Sequence, residues 1–221
     1  MTEWGRPNGH VESEHLAILG PTGSGKTKFM TYILKRRAAL RKSHIVLIAT
    51  KPADSTIDAL KWPVIRHWPP NYGQEQVIYW PVTKKPDENI EYQREHIKNM
   101  LNEIWGPDAN IIVAFDEIAY IETELNLKTI VTRYWREARS LGITIVATTQ
   151  RPRFVSRYMF SEPIWAVAFR PQDEDDALRV AEILGSRKKY KDILLEELDR
   201  YEFLLVHKPT REAVISKLPA K

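Results

Sequence analysis

Cysteine is absent from the 221 residues, which excludes a disulfide framework and any Cys-ligated zinc or iron–sulfur centre. Long hydrophobic runs are missing too. Stretches such as Ile111 to Phe115 are among the longest, far short of the roughly 18 residues a membrane span needs. The opening MTEWGRPNGH has no apolar core of the kind a secretory signal requires. A soluble, cytoplasmic protein is expected. Neither charge sign dominates: the net charge is +4, a slight basic lean toward polyanionic partners. Hydrophobic residues at 43% and charged residues at 28% suit a globular chain. The histidines at 10, 15, 44, 67, 96 and 207 show no metal-ligand spacing.

Residues 1–14 are polar and contain Gly5, Pro7 and Gly9, which reads as an arm ahead of a single domain over 15–221. His15 to Gly20, Ile45 to Thr50, Ile111 to Glu117, Ile143 to Gln150 and Ile164 to Arg170 are short apolar runs, expected as buried strands. Helices are expected over Lys26–Lys42 (apolar face Phe29, Met30, Ile33, Leu34, Leu40), from a cap at Asp87 to about Trp105, over Leu125–Leu141, Asp173–Leu184 and Asp192–Leu198. The proline-rich 52–86 reads as irregular, with short strands at Val64–Trp68 and Val77–Val82. Tyr201–His207 and Ala213–Leu218 read as a closing hairpin. Strands apolar throughout, alternating with helices, predict an α/β fold: a mostly parallel sheet covered on both faces.

Gly20-Pro21-Thr22-Gly23-Ser24-Gly25-Lys26-Thr27 matches G-x-x-x-x-G-K-[ST] at every position. It lies between an expected strand and an expected helix, as phosphate binding requires. Backbone N–H groups of such a loop turn toward phosphates at a helix N-terminus. Lys26 would reach the β- and γ-phosphates, and the Thr27 hydroxyl would ligate Mg²⁺. The alternative is a Gly-rich turn with an incidental lysine.

The strand Ile111–Phe115 runs into Asp116 and Glu117. Acids at the carboxyl end of a strand lie where open α/β sheets bind ligands. Asp116 would hold Mg²⁺ through water and Glu117 would act as general base; the alternative is a pair that caps the next helix. Gln150, at the end of the next strand, could contact the γ-phosphate or orient water, or be a solvated strand end. Lys51-Pro-Ala-Asp54 is one residue too long for a guanine reader, so ATP is the expected nucleotide.

Two stretches carry a family resemblance. His15 to Thr27, reading HLAILGPTGSGKT, resembles the P-loop stretch of the FtsK–HerA superfamily of DNA-pumping ATPases. Ala138 to Pro152, reading ARSLGITIVATTQRP, resembles that family's Ala-Arg-x-x-Gly-Ile to Ala-Thr-Gln-Arg-Pro stretch, with one extra threonine. The resemblance covers roughly Glu14 to Arg170. It implies a RecA-like core with the Gln150 strand between the P-loop strand and the Asp116 strand. It also implies a ring, usually a hexamer, with ATP between subunits and double-stranded DNA in the channel. Arg139 matches the family's trans finger to the neighbour's ATP, with Arg136 in reserve and a solvated basic helix end as the alternative. Neither a HerA-type β-barrel nor a winged helix is visible, which leaves the size of a viral genome-packaging motor. A capsid portal or another docking protein would then supply specificity.

Basic runs at Lys28–Lys42, Arg151–Arg157 and Arg187–Lys191 could face DNA backbone or be solvated faces. Trp62, Trp68 and Trp80 are expected to cover the sheet edge. Two rival readings remain: an ATPase that drives protein or virion assembly or secretion, and a non-motor nucleotide switch.

Overall fold

Strands that are apolar on both faces must be covered on both faces, and this requirement sets the layering. The computed structural model describes residues 13–41, 43–51, 53–83, 85 and 88–218. In chain order the elements are β1 (Leu16–Leu19), α1 (Lys26–Arg41), β2 (His44–Ile48), α2 (Ser55–Asp58), β3 (Val64–Ile65), β4 (Gln76–Tyr79), α3 (Asn89–Ile104), β5 (Ile111–Phe115), α4 (Ile118–Thr123), α5 (Lys128–Glu137), β6 (Ile143–Thr149), α6 (Tyr158–Ser161), β7 (Trp165–Phe169), α7 (Glu174–Ile183), α8 (Arg187–Asp192), β8 (Glu202–His207) and β9 (Glu212–Lys217).

The nine strands form one sheet in the order β3-β4-β2-β5-β6-β1-β7-β8-β9. All neighbours from β3 to β7 are parallel. β8 and β9 close the sheet as the expected antiparallel hairpin. β6 lies between β5 and β1, as the resemblance implies. The register aligns Leu19 with Thr149, Phe115 with Ala147, and Ile48 with Phe115. The carboxyl ends of β1, β2, β5 and β6 therefore share one edge.

Alternation along the strands feeds two cores. Ala17, Leu19, Ile111, Val113 and Phe115 face the side covered by α3, α4, α5 and α7. Leu16, Ile18, Ile112 and Ala114 face the side covered by α1 and α2. Trp80 is buried, and Trp62 and Trp68 pack against these cores beside β3 and β4, so the tryptophans do cover that edge. Ser13 and Glu14, the last residues of the expected arm, are tied down: Arg139 Nε donates to Ser13 O at 3.0 Å and Trp165 Nε1 to Glu14 Oε2 at 2.9 Å.

Several sequence expectations need correction. Leu40 is not on the buried face of α1; it is 81% exposed. At about 1.5 Å per residue the 16-residue helix outruns the short strands beneath it. No single helix spans Leu125–Leu141: α4 precedes it, Asn126 adopts a left-handed φ of 50°, and α5 starts only at Lys128. Asparagine tolerates that conformation, and the helix restarts beyond it. After α5, Ala138–Leu141 tightens into a 3-10 turn that ends at Gly142. Arg136 and Arg139 therefore belong to different elements, the first to α5 and the second to this turn. The helix expected at 192–198 begins earlier, at Arg187, because the Ser186 hydroxyl caps it by accepting from Lys189 N–H; Ile193–Glu197 continues as a π turn. The expected Asp87 cap lies outside the described residues; α3 follows Glu88, whose side chain makes no capping bond. Asp173 does cap α7, accepting from Asp176 N–H at 2.7 Å.

Candidate active site

β1 delivers the chain to Gly20, whose N–H donates to Thr149 O at 3.3 Å. A Cβ there would stand 2.8 Å from Phe169 Cβ, and φ is +153°, so only glycine fits this close approach. The loop turns back through Ser24 N–H to Pro21 O at 3.3 Å, and the first helical bond of α1 runs from Phe29 N–H to Gly25 O at 2.8 Å. Lys26 Nζ donates to Pro21 O at 2.7 Å. Burial pushes the Lys26 ammonium down to about 8, with the Glu117 carboxylate opposing.

The two acids occupy different surroundings. Asp116 is buried, and its Oδ1 accepts from the Thr27 hydroxyl at 3.1 Å. Its Oδ2 lies 2.9 Å from Lys51 Nζ, and Lys51 also reaches Asp54 Oδ2 at 3.5 Å. Burial acts to lower the Lys51 ammonium; the Asp116 and Asp54 carboxylates outweigh it, and the net shift is upward. Glu117 is clamped: Oε1 accepts from the Thr149 hydroxyl at 2.8 Å and Oε2 from Gln150 N–H at 3.1 Å. Burial raises the Glu117 carboxyl, while these two bonds and Lys26 oppose the rise. A raised, fixed carboxylate suits a group that takes a proton.

Gln150 closes the ring of contacts, since its Oε1 accepts from the Thr22 hydroxyl. The P-loop, the acids and the β6 tip thus meet on one sheet edge. A cleft of about 890 Å³ opens beside them, lined by Lys51, Tyr120, Glu117, Gln150, Arg151 and Phe154. The Thr27 hydroxyl and the Asp116 carboxylate, 3.1 Å apart, are the hard oxygen donors that Mg²⁺ takes.

Arg139 is not brought to this site within the chain. It lies on the turn ahead of β6, exposed, at the opposite edge of the sheet. The seven residues of β6 separate it from Gln150 by roughly 23 Å. Arg136 is exposed too, its guanidinium 5.5 Å from the Tyr158 ring centroid. His15 also sits away from the site, where Nδ1 accepts from Ile145 N–H at 3.0 Å and burial pushes the ring down to about 3.

The later basic runs have local partners. Arg153 pairs with Asp175 at 2.9 Å, Arg187 with Glu182 at 3.0 Å, and Lys191 with Glu174. Lys189 Nζ donates to Arg211 O at 2.9 Å. Arg151, Arg157 and Lys188 are exposed. Sequence reasoning missed Lys51 and Thr149 as site residues. Their signal was position: both stand at or just past the carboxyl end of a buried strand.

Residues 10–48 match the family model described as the central domain of the helicase HerA. Sequence comparison with curated proteins gives no match. Among solved structures, the chain is similar to the genome packaging NTPase B204 from Sulfolobus turreted icosahedral virus 2 in complex with sulfate, at 12% identity and TM-score 0.65 over 96% of this chain and 99% of that one. It is also similar to the pCW3 conjugation coupling protein TcpA, at 16% identity and TM-score 0.61 over 96% of this chain and 64% of that one. EssC (ATPases 2 and 3) from Geobacillus thermodenitrificans gives 16% identity and TM-score 0.61 over 94% of this chain and 40% of that one. At these identities the structural likeness is one of fold. The family model bears out the resemblance to FtsK–HerA ATPases over residues 10–48, and the solved structures bear out the expected fold. The chain carries the fold and the motif set of P-loop ATPases.

Proposed function

We propose that this protein is an ATPase that moves double-stranded DNA as a homo-oligomeric, hexameric ring, and that it serves genome packaging or DNA transfer for a virus or mobile element. The observation that carries the reading is the double clamp on Glu117 by the Thr149 hydroxyl and Gln150 N–H, on the same edge as Lys26, Thr27 and Asp116. A pure nucleotide switch has no need of a fixed carboxylate there. Lys26 binds and orients the β- and γ-phosphates. Thr27, and Asp116 through water, would hold Mg²⁺, which when bound neutralises phosphate charge. Glu117 takes a proton from the attacking water, and Gln150, joined to Thr22 of the loop, orients that water against the γ-phosphate. Arg139, far from its own site, acts on the site of the next subunit.

DNA as the cargo is supported by the end-to-end likeness to a viral genome packaging NTPase, which covers 99% of that chain. Exposed Arg151 and Arg157 offer phosphate contacts beyond the hydrolysis edge. Among the described residues no helix is long and apolar enough to cross a membrane. We read residues 15–221 as one ATPase domain behind a polar arm, working in the cytoplasm and docked to a capsid portal or similar protein. The test is ATP hydrolysis by purified protein with and without linear duplex DNA. DNA should raise the rate; hydrolysis indifferent to DNA would remove DNA from the reading and leave the ATPase.

A further inference from the structure

The P-loop has two flanks, and only one carries hydrolytic residues. On the β6 flank Thr22 meets Gln150, and Asp116 and Glu117 stand behind them. On the other flank lie the end of β7 and the turn into β8. There Phe169 and Tyr201 stand beside the last glycine of the loop. A Cβ on Gly25 would lie 3.4 Å from the Phe169 ring and 4.0 Å from Tyr201 Cδ1.

Tyr201 has three features that packing alone does not require. It is 47% exposed although its ring edge stands beside the phosphate loop, 4.0 Å from where a Gly25 Cβ would be. Its backbone is left-handed, with φ 68°, an uncommon and costly state for a bulky residue. Such strain persists where the surroundings over-determine it, and here they do. Asp199 N–H donates to Glu202 Oε2 at 3.0 Å, Glu202 N–H to Asp199 O at 3.1 Å, and Arg170 Nη1 to Leu198 O at 3.2 Å. Finally, the Arg200 guanidinium lies 4.9 Å from the Tyr201 ring centroid, a cation–π arrangement that backs the ring.

With its γ-phosphate at Glu117 and Gln150, a nucleotide running along the loop would leave it on the opposite flank, where Tyr201 stands. We propose that Tyr201, backed by Arg200, is the stacking platform for the nucleobase of the bound nucleotide. This rests on the nucleotide-site reading above and extends it to the base. Stacking reads a π-face, which every base has. The platform therefore adds affinity for a nucleoside triphosphate over bare triphosphate without choosing adenine over guanine.

The test is equilibrium binding of Mg-ATP, Mg-GTP and Mg-tripolyphosphate to wild type, Tyr201→Ala, Tyr201→Trp and Tyr201→Gly. Tyr201→Ala should weaken ATP and GTP alike, by about 10- to 100-fold, and leave tripolyphosphate binding unchanged. Tyr201→Trp should keep ATP affinity. Tyr201→Gly should lose ATP affinity like alanine yet melt no lower than wild type, because glycine relieves the left-handed backbone. Equal ATP affinity in Tyr201→Ala would overturn the proposal, and so would a parallel loss of tripolyphosphate binding, which marks a structural role. Wild type binding neither ATP nor tripolyphosphate would instead remove the nucleotide site itself, and with it the platform.

Discussion

Lys51 Nζ stands 2.9 Å from Asp116 Oδ2, so the carboxylate that β5 delivers to the site is partnered by an ammonium from the end of β2. The Asp116 side chain is fully shielded, while that of Lys51 remains 41% exposed. Removing one partner leaves a buried charge uncompensated. Lys51→Ala should therefore lose on the order of 1–2 kcal/mol of stability in EDTA, a value reduced for the exposure of the lysine. Added Mg²⁺ should restore much of it by supplying the missing positive charge. Thermal melts of both proteins, with EDTA and with Mg²⁺, check this; identical melting in EDTA would show the pair to be inert.

The clamp on Glu117 predicts a graded series. Glu117→Gln should bind ATP normally and hydrolyse it at least ~10²-fold more slowly. Thr149→Val keeps the shape of the strand but removes the hydroxyl that donates to Oε1, and should slow hydrolysis by about 10-fold with binding intact. Single-turnover hydrolysis beside equilibrium nucleotide binding separates the two effects. Near-normal turnover in Glu117→Gln would reassign the base.

Arg139 is on the far edge of its own sheet, so in the proposed ring any role in hydrolysis would be played at a neighbouring subunit's site. Arg139→Ala should spare nucleotide binding and cut hydrolysis by up to ~10³-fold. Lys26→Ala should lose nucleotide binding while still lending its arginine. Mixing the two proteins should recover part of the activity, and dilution below the assembly concentration should abolish that recovery. A co-assembled mixture that stays inactive would remove Arg139 from that role and make Arg136→Ala the next variant to test.

Glu122 is buried on α4, and its Oε2 accepts from Ser156 N–H at 2.6 Å in the loop that follows β6. Burial pushes its carboxyl from 4.5 up to about 7, with the Ser156 bonds and Lys128 opposing. Between these values the folded state holds a proton that the unfolded chain releases, so this residue's contribution to stability falls as pH rises through the window. Glu122→Gln should match wild type near pH 5 and exceed it above pH 7 by on the order of 1–3 kcal/mol. Denaturant midpoints across pH 5–8 measure it; a pH-independent difference between the two proteins would rule out titration of Glu122.

Local patterns identified the P-loop, the paired acids and the buried strands, because each is a short-range signal. Glycines and a lysine at fixed spacing shape a loop wherever the chain places them, and a strand that is apolar on both faces must enter a covered sheet. Even the break at Asn126 and the exposure of Leu40 lay beyond that range. The first depends on how α4 and α5 pack; the second depends on how far the sheet extends under α1. Only the tertiary structure decided which strand tips are neighbours. The insertion of β6 between β5 and β1 puts Thr149 and Gln150 around Glu117, and the pairing of β2 with β5 puts Lys51 on Asp116. The same topology sends Arg139 to the opposite edge and brings Tyr201 beside the Gly25 turn of the loop. These are contacts between residues far apart in the chain, set by strand order and register, and no local periodicity encodes them.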